Sequence, residues 1–163
     1  MTSDDLLIRP FELCDQLAAC KLIQQGLGEH FGFIDETLNP DLNDIMQSYI
    51  VPGYIFLVAY IGSDLVGTGA LITEAEETGR IVRVSTHSTH RRKGIGQAIV
   101  KRLLALAWER GYKRVVIETN IAWLDAIGLY EHLDFTEYAR DSTCIHMALE
   151  LFPVQEQINE RRL

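Results

Sequence analysis

The stretch VSTHSTHRRKGIGQAIV, running from Val84 to Val100, decides how this chain is read. It follows an apolar strand pattern, Arg80-Ile81-Val82-Arg83-Val84, and passes through a polar run from Ser85 to His90. Three adjacent cations, Arg91, Arg92 and Lys93, then lead into Gly94-Ile95-Gly96. The apolar spacing beyond predicts a helix over residues 97–110. A strand, a basic glycine-containing turn and a helix start together form a cradle for phosphate. The first amides of a helix have no partner within it, and its dipole favours an anion there. Glycine lets a ligand approach the backbone without a Cβ in the way.

Two better-known phosphate motifs are excluded. The third glycine of a dinucleotide fingerprint is missing, because Gly96-Gln97-Ala98 is followed by Ile99. No Gly-Lys-Ser/Thr occurs, so this is not a Walker loop.

Working outward, the helix at 97–110 carries Ala98, Ile99, Leu103, Leu106 and Ala107 on one face, widened by Val100 and Leu104. Gly111 stands where a left-handed cap belongs. Residues 114–118, Arg-Val-Val-Ile-Glu, read as a strand. Strand, helix and strand in that order imply a parallel pair joined by a right-handed crossover. Upstream, residues 54–61 and 65–73 read as an antiparallel hairpin turning at Gly62-Ser63-Asp64, and the acidic turn at 74–79 adds the next antiparallel neighbour. Earlier still are a short strand at 6–9, a helix from Glu12 to Leu27 that breaks around Gly26 and Gly28, and a second helix from Asn39-Pro40 to Ser48. Downstream, a helix at 122–133 is followed by paired strands at 135–139 and 143–151. The expected architecture is one α/β (α+β) domain over residues 1–152: a mixed, mostly antiparallel sheet with a central parallel pair and helices on both faces, then a polar tail at 153–163.

The chain has 163 residues, with 47% hydrophobic and 23% charged, the balance of a globular domain with a real core. No apolar run is long enough to span a bilayer and the first ten residues lack a signal-peptide pattern, so the expectation is a cytoplasmic protein with no membrane partner. Cys14, Cys20 and Cys144 have neither the number nor the spacing of a metal site or disulfide framework, and read as reduced, partly buried thiols. A net charge of −8 argues against nucleic acid. It also makes the Arg91-Arg92-Lys93 cluster a local reversal of sign where an anion would dock.

Two motifs coincide in order and spacing with one family. Arg91-Arg92-Lys93-Gly94-Ile95-Gly96 opens a long helix. Asn120 closes the following strand, and Ala126-Ile127-Gly128-Leu129-Tyr130 leads into Asp134-Phe135. The chain resembles the GNAT superfamily of N-acetyltransferases, over nearly its whole length. Arg92 stands where that family commonly has glycine, Ser88 where it has proline, and Asp134 replaces the glycine before Phe135.

The resemblance implies acetyl-CoA as co-substrate, no metal, and a small-molecule or peptide amine as acceptor. It implies that the strand carrying Val84, Ser85 and Thr86 diverges from the strand at 115–118 and that the pantetheine arm enters between them. The pyrophosphate would rest on the amides of Arg92, Lys93, Gly94, Ile95, Gly96 and Gln97, with Arg91 adding charge. A backbone amide near Thr86 would polarise the thioester carbonyl. A neutral amine would attack directly, Tyr130 would protonate the leaving thiolate, and Asn120 would contact the pantetheine. Family members often dimerise, so a homodimer is a further implication.

The residues alone leave alternatives open. Tyr130 also suits a core aromatic, Asn120 a helix N-cap, and the three cations a solvated turn. His87 and His90 suit either proton transfer or plain surface. His132 and His146 belong to no constellation. No single general base emerges among Glu29, His30, Glu74, Glu76, Glu77 and Glu118; a water chain serves equally. An acyl-CoA-binding regulatory module without catalysis is the alternative function on the same fold.

Overall fold

The computed structural model describes residues 5–32 and 38–151. Its strands are β1 (Leu6–Pro10), β2 (Ile55–Ile61), β3 (Asp64–Ala75), β4 (Thr78–Thr86), β5 (Arg114–Asn120), β6 (Thr136–Arg140) and β7 (Cys144–Glu150); its helices are α1 (Gln16–Phe31), α2 (Ile95–Glu109) and α3 (Leu124–His132). They form one seven-stranded sheet in the order β1-β2-β3-β4-β5-β7-β6. Among the described residues only β4 and β5 run parallel, as the strand–helix–strand reading requires. Their register joins Thr78, Gly79 and Arg80 to Arg114, Val115 and Val116. The expected tail at 153–163 and its boundary lie outside the described residues, as does the aromatic segment from Phe33.

The described residues fall into two compact units. The first holds β1, β2, β3 to Ile72, β4 from Ile81, and α1 with α2 to Leu103. Its core gathers Phe11, Ala19, Ile23, Leu42, Ile45, Tyr49, Phe56, Val58 and Ala70. Phe56 takes Phe11 and Tyr49 edge-on, at 5.6 and 5.2 Å between ring centres. Ile99 and Leu103 of α2 are fully buried. They come so near β3 that a methyl group on Gly69 would stand 2.5 Å from Ile99 Cγ2.

Two expectations for this unit fail. The first helix does not break at Gly26 and Gly28 but runs to Phe31, with Gly32 as its left-handed cap at φ 77°. Gly26 is there for proximity, since a methyl group on it would meet Ser85 Oγ at 2.9 Å. The helix buries Ala19, Leu22 and Ile23, and the 3-10 turn before it buries Asp15, while Leu13 and Leu17 are exposed. Asp15 belongs inside because Arg9 grips both its oxygens at 2.8 and 2.9 Å and Tyr60 Oη donates to it at 2.5 Å. The second helix, expected from Asn39 to Ser48, is instead a 3-10 turn, Pro40–Asn43, and a π-helical turn, Met46–Ile50. The extended backbone of Asp44 separates them.

The second unit holds Thr73 to Arg80 and the chain from Leu104. β5 pairs with β7 along its whole length, Arg114↔Glu150 to Asn120↔Cys144. Val115, Val116, Ile117, Ile145, Met147, Tyr130 and Phe135 are buried. Asp134 adopts φ 70°, the left-handed turn that ends α3 in place of glycine. Gly111 caps α2 at φ 86°. All three cysteines are free thiols, with Cys14 exposed rather than partly buried.

Candidate active site

In the first unit the helix-start loop has the geometry of an anion seat. Arg92 and Gly94 both take left-handed backbone, at φ 63° and 78°, and turn the chain sharply into α2. Arg92 thus has the backbone conformation that glycine adopts most readily. The first helical hydrogen bond runs from Ala98 N to Gly94 O at 3.0 Å. The amides of Ile95, Gly96 and Gln97 therefore lie ahead of the α2 ladder. No atom lies within 4 Å of the Cβ position at Gly94, so the turn is open above its backbone. Successive amides at such a turn favour a multiply charged anion.

The cations of the loop are not equivalent. Arg91 Nη2 pairs with Glu29 Oε2 of α1 at 2.5 Å, and its Nε reaches Thr86 O at 3.4 Å. Arg92 and Lys93 are exposed. Upstream, Val84, Ser85 and Thr86 are half-buried, and the strand is tied down just after them by His87 N donating to Val66 O at 2.8 Å. His87 and His90 share Thr89 Oγ1 at 2.9 Å each, which makes them parts of a local turn.

The residue on which this end of β4 depends is one that sequence reasoning passed over. Arg83 lies within the strand yet has φ 58°. Its Nε and Nη2 donate to Asp41 Oδ2 and Oδ1 at 3.0 and 2.6 Å, and Nη2 also reaches Asn39 Oδ1 at 3.1 Å. Tyr49 Oη donates to Asp41 Oδ2 at 2.5 Å. Burial alone would push the Asp41 carboxyl up, but the hydrogen bonds from Arg83 and Tyr49 prevail and hold it below its ordinary value. Burial, with the bond to Asp41, lifts the Tyr49 hydroxyl to about 12. The available signal was an arginine between Val82 and Val84, since a cation in an apolar strand calls for a carboxylate partner.

In the second unit Tyr130 is 7% exposed and sits edge-on to Phe135 at 5.4 Å. Its hydroxyl has no hydrogen bond among the described residues. Burial pushes its pKa well above the ordinary tyrosine value, so it is a neutral donor at any physiological pH. Asn120 closes β5, and its Oδ1 accepts from Ala122 N at 2.8 Å. It does not cap α3, whose N-cap position is Trp123.

Four of the carboxylates considered as bases, Glu29, Glu74, Glu77 and Glu118, are engaged. Arg80 bonds Glu74 at 2.7 Å, holding that carboxyl below its ordinary value, and lies 3.8 Å from Glu118. The neighbouring Glu118 carboxylate, with burial, pushes the Cys144 thiol up. Glu77 pairs with Lys113 at 3.3 Å, and Glu76 is exposed. The side chain of His30 lies outside what the structure describes. His146 packs against Tyr138, and His132 is exposed.

Comparison with known proteins places this geometry in context. Residues 18–135 match the model of the acetyltransferase (GNAT) family. Human N-acetyltransferase 8 is 32% identical over 119 residues, which is 69% of this chain and 52% of that protein. The chain thus spans about half the length of the curated relatives it matches. Among solved structures, an acetyltransferase of the GNAT family from Staphylococcus aureus Mu50 superposes with a TM-score of 0.80 at 19% identity, over 89% of this chain and 99% of that one. A PaiA N-acetyltransferase from Thermoplasma acidophilum, solved in complex with coenzyme A, gives 0.78 at 16% identity, over 93% and 100%. At those identities the likeness is one of fold.

Proposed function

The chain belongs to the GNAT acetyltransferase family, and on that premise we propose that it transfers an acetyl group from acetyl-CoA to a primary amine on a small molecule or peptide. The observation that carries this reading is the left-handed pair Arg92 and Gly94, with open space at the Cβ position of Gly94, leading into the amides of Ile95, Gly96 and Gln97. Those residues fit a diphosphate: the amides ahead of the α2 ladder have no partner within the helix, nothing crowds the Cβ position at Gly94, and Arg92 and Lys93 are exposed beside it.

Acetyl-CoA, when bound, supplies the activated thioester. The backbone of Val84, Ser85 and Thr86 lines the pantetheine arm, and an amide near Thr86 polarises the carbonyl as negative charge develops on it. Tyr130 donates its proton to the departing sulfur; a neutral hydroxyl on a buried side chain, with no hydrogen bond among the described residues, supports that role. Asn120 orders the end of β5 through its bond to Ala122. The engaged carboxylates favour amine deprotonation through water.

Two measurements test the reading. Isothermal titration with acetyl-CoA should give saturable one-site binding that weakens with salt, and an absence of binding removes the proposal. Mass spectrometry of an amine library incubated with acetyl-CoA should give acetylated product. Bound cofactor without product would point instead to an acyl-CoA-binding module.

A further inference from the structure

Arg83 is a β-branch-free but bulky residue held in the left-handed region at φ 58°, in the middle of a strand. Such a conformation is strained for any residue but glycine and persists only where the surroundings over-determine it. Here they do so from both ends of the residue. Its carbonyl is taken by the hydroxyl of fully buried Thr68 at 2.8 Å. Its guanidinium is locked in a two-point fork on Asp41, which Tyr49 steadies at 2.5 Å. The alternation of β4 is lost at this point: Gly79 and Ile81 are buried between half-buried neighbours, but every residue from Val82 to Thr86 is half-buried. Beyond the strand, the amide of His87 donates to Val66. Val84, Ser85 and Thr86 are thus the part of β4 that follows the Arg83 kink, and that kink is held by a carboxylate more than forty positions away in sequence.

We propose that Asp41 is a positioning residue for acetyl transfer: through the Arg83 fork it sets the kink of β4 and thereby the aim of the amides of Val84, Ser85 and Thr86 at the thioester carbonyl. This rests on the acetyl-CoA reading above and deepens it. The contacts of Asp41 are to Arg83 and Tyr49, so its effect on the reaction runs through them. A misplacement of about 1 Å in those amides is enough to cost roughly a hundred-fold in rate while leaving the diphosphate seat, several residues further on, untouched. A tie that served stability alone would leave the carbonyl's environment unchanged.

The test uses acetyl-CoA labelled with carbon-13 at the thioester carbonyl. In the wild-type complex the carbonyl resonance should move downfield on binding, as backbone donors polarise it. In Asp41→Asn, which keeps size but releases the fork, that displacement should fall by half or more while the acetyl-CoA Kd stays within about two-fold. Arg83→Lys, which keeps the charge but not the fork, should behave alike. Should Asp41→Asn fail to fold, Tyr49→Phe loosens Asp41 more gently and should still reduce the displacement. An unmoved carbonyl in the wild-type complex, or an equal displacement in wild type and folded variants, overturns the proposal. No binding of acetyl-CoA by the wild type takes down the parent reading and this inference together.

Discussion

Glu29 of α1 holds the guanidinium of Arg91 at 2.5 Å, so the first cation of the helix-start loop is already committed to an internal carboxylate. Both side chains are more than two-fifths exposed, at 42% and 43%. A surface pair of this kind contributes only about 0–1 kcal/mol, little enough for a diphosphate to displace. Glu29→Gln should therefore free Arg91 and tighten acetyl-CoA about two- to five-fold in low salt, with the gain fading as salt rises. Removing Arg91 and Arg92 together should weaken binding and flatten its salt dependence. Titrations in which Glu29→Gln binds no more tightly at any salt would mean that Arg91 never leaves Glu29 for the ligand.

Tyr130 offers a cleaner separation of chemistry from structure. Its hydroxyl bonds nothing among the described residues, so Tyr130→Phe should melt at nearly the wild-type temperature. Cofactor affinity should also hold. Turnover should fall about a hundred-fold or more if the hydroxyl protonates the leaving sulfur. Because burial raises its pKa, loss of this proton should cause no decline in rate below roughly pH 10. Single-turnover rates that match wild type would return Tyr130 to the core.

Much of this arrangement is legible in the sequence because local chemistry and global fold agree there. The basic Gly-x-Gly turn, the hairpin at Gly62 and the cap at Gly111 each state their backbone needs in their own residues. What was illegible depends on contacts between distant residues. Gly26 reads as a helix breaker until Ser85 is seen 2.9 Å from where its Cβ would stand. Nothing in the spacing marks Asp15 as buried; Arg9 and Tyr60, from β1 and β2, hold it inside. Arg83 reads as a strand charge, and neither its kink nor its link to Asp41 follows from spacing.

The glycines of β3 make a packing prediction within the first unit. A methyl group at Gly69 would lie 2.5 Å from Ile99 Cγ2 and 3.1 Å from Leu103 Cδ1, and both side chains are fully buried. Gly69→Ala should destabilise by about 1–3 kcal/mol through overpacking. In Ile99→Ala the clashing atom is gone, so Gly69→Ala should cost much less in that background. Urea titrations of the four proteins measure the coupling, and strict additivity would show that α2 and β3 adjust freely.

Asp15 should make stability depend on acid. Its side chain is wholly buried, and burial alone would push its carboxyl up. The hydrogen bonds from Arg9 and Tyr60 and from the Glu12 amide prevail, holding it below its ordinary value. A carboxyl depressed in the fold binds its proton less readily there than in the unfolded chain. Its contribution is therefore complete above the unfolded value, near pH 4, and drains away as pH falls through the folded one. Asp15→Asn leaves the Arg9 guanidinium facing an amide and should cost about 3 kcal/mol at pH 7. The penalty should shrink between pH 4 and pH 2, where the wild-type carboxyl is itself taking up its proton. Asp41 is depressed in the same direction, so the variant should keep part of the acid sensitivity and lose the rest only when Asp41→Asn is added. Urea midpoints for wild type, each single variant and the pair, taken from pH 7 down to pH 2, decide the matter: a penalty for Asp15→Asn that is the same at every pH would show that the site holds its partners by shape rather than by charge.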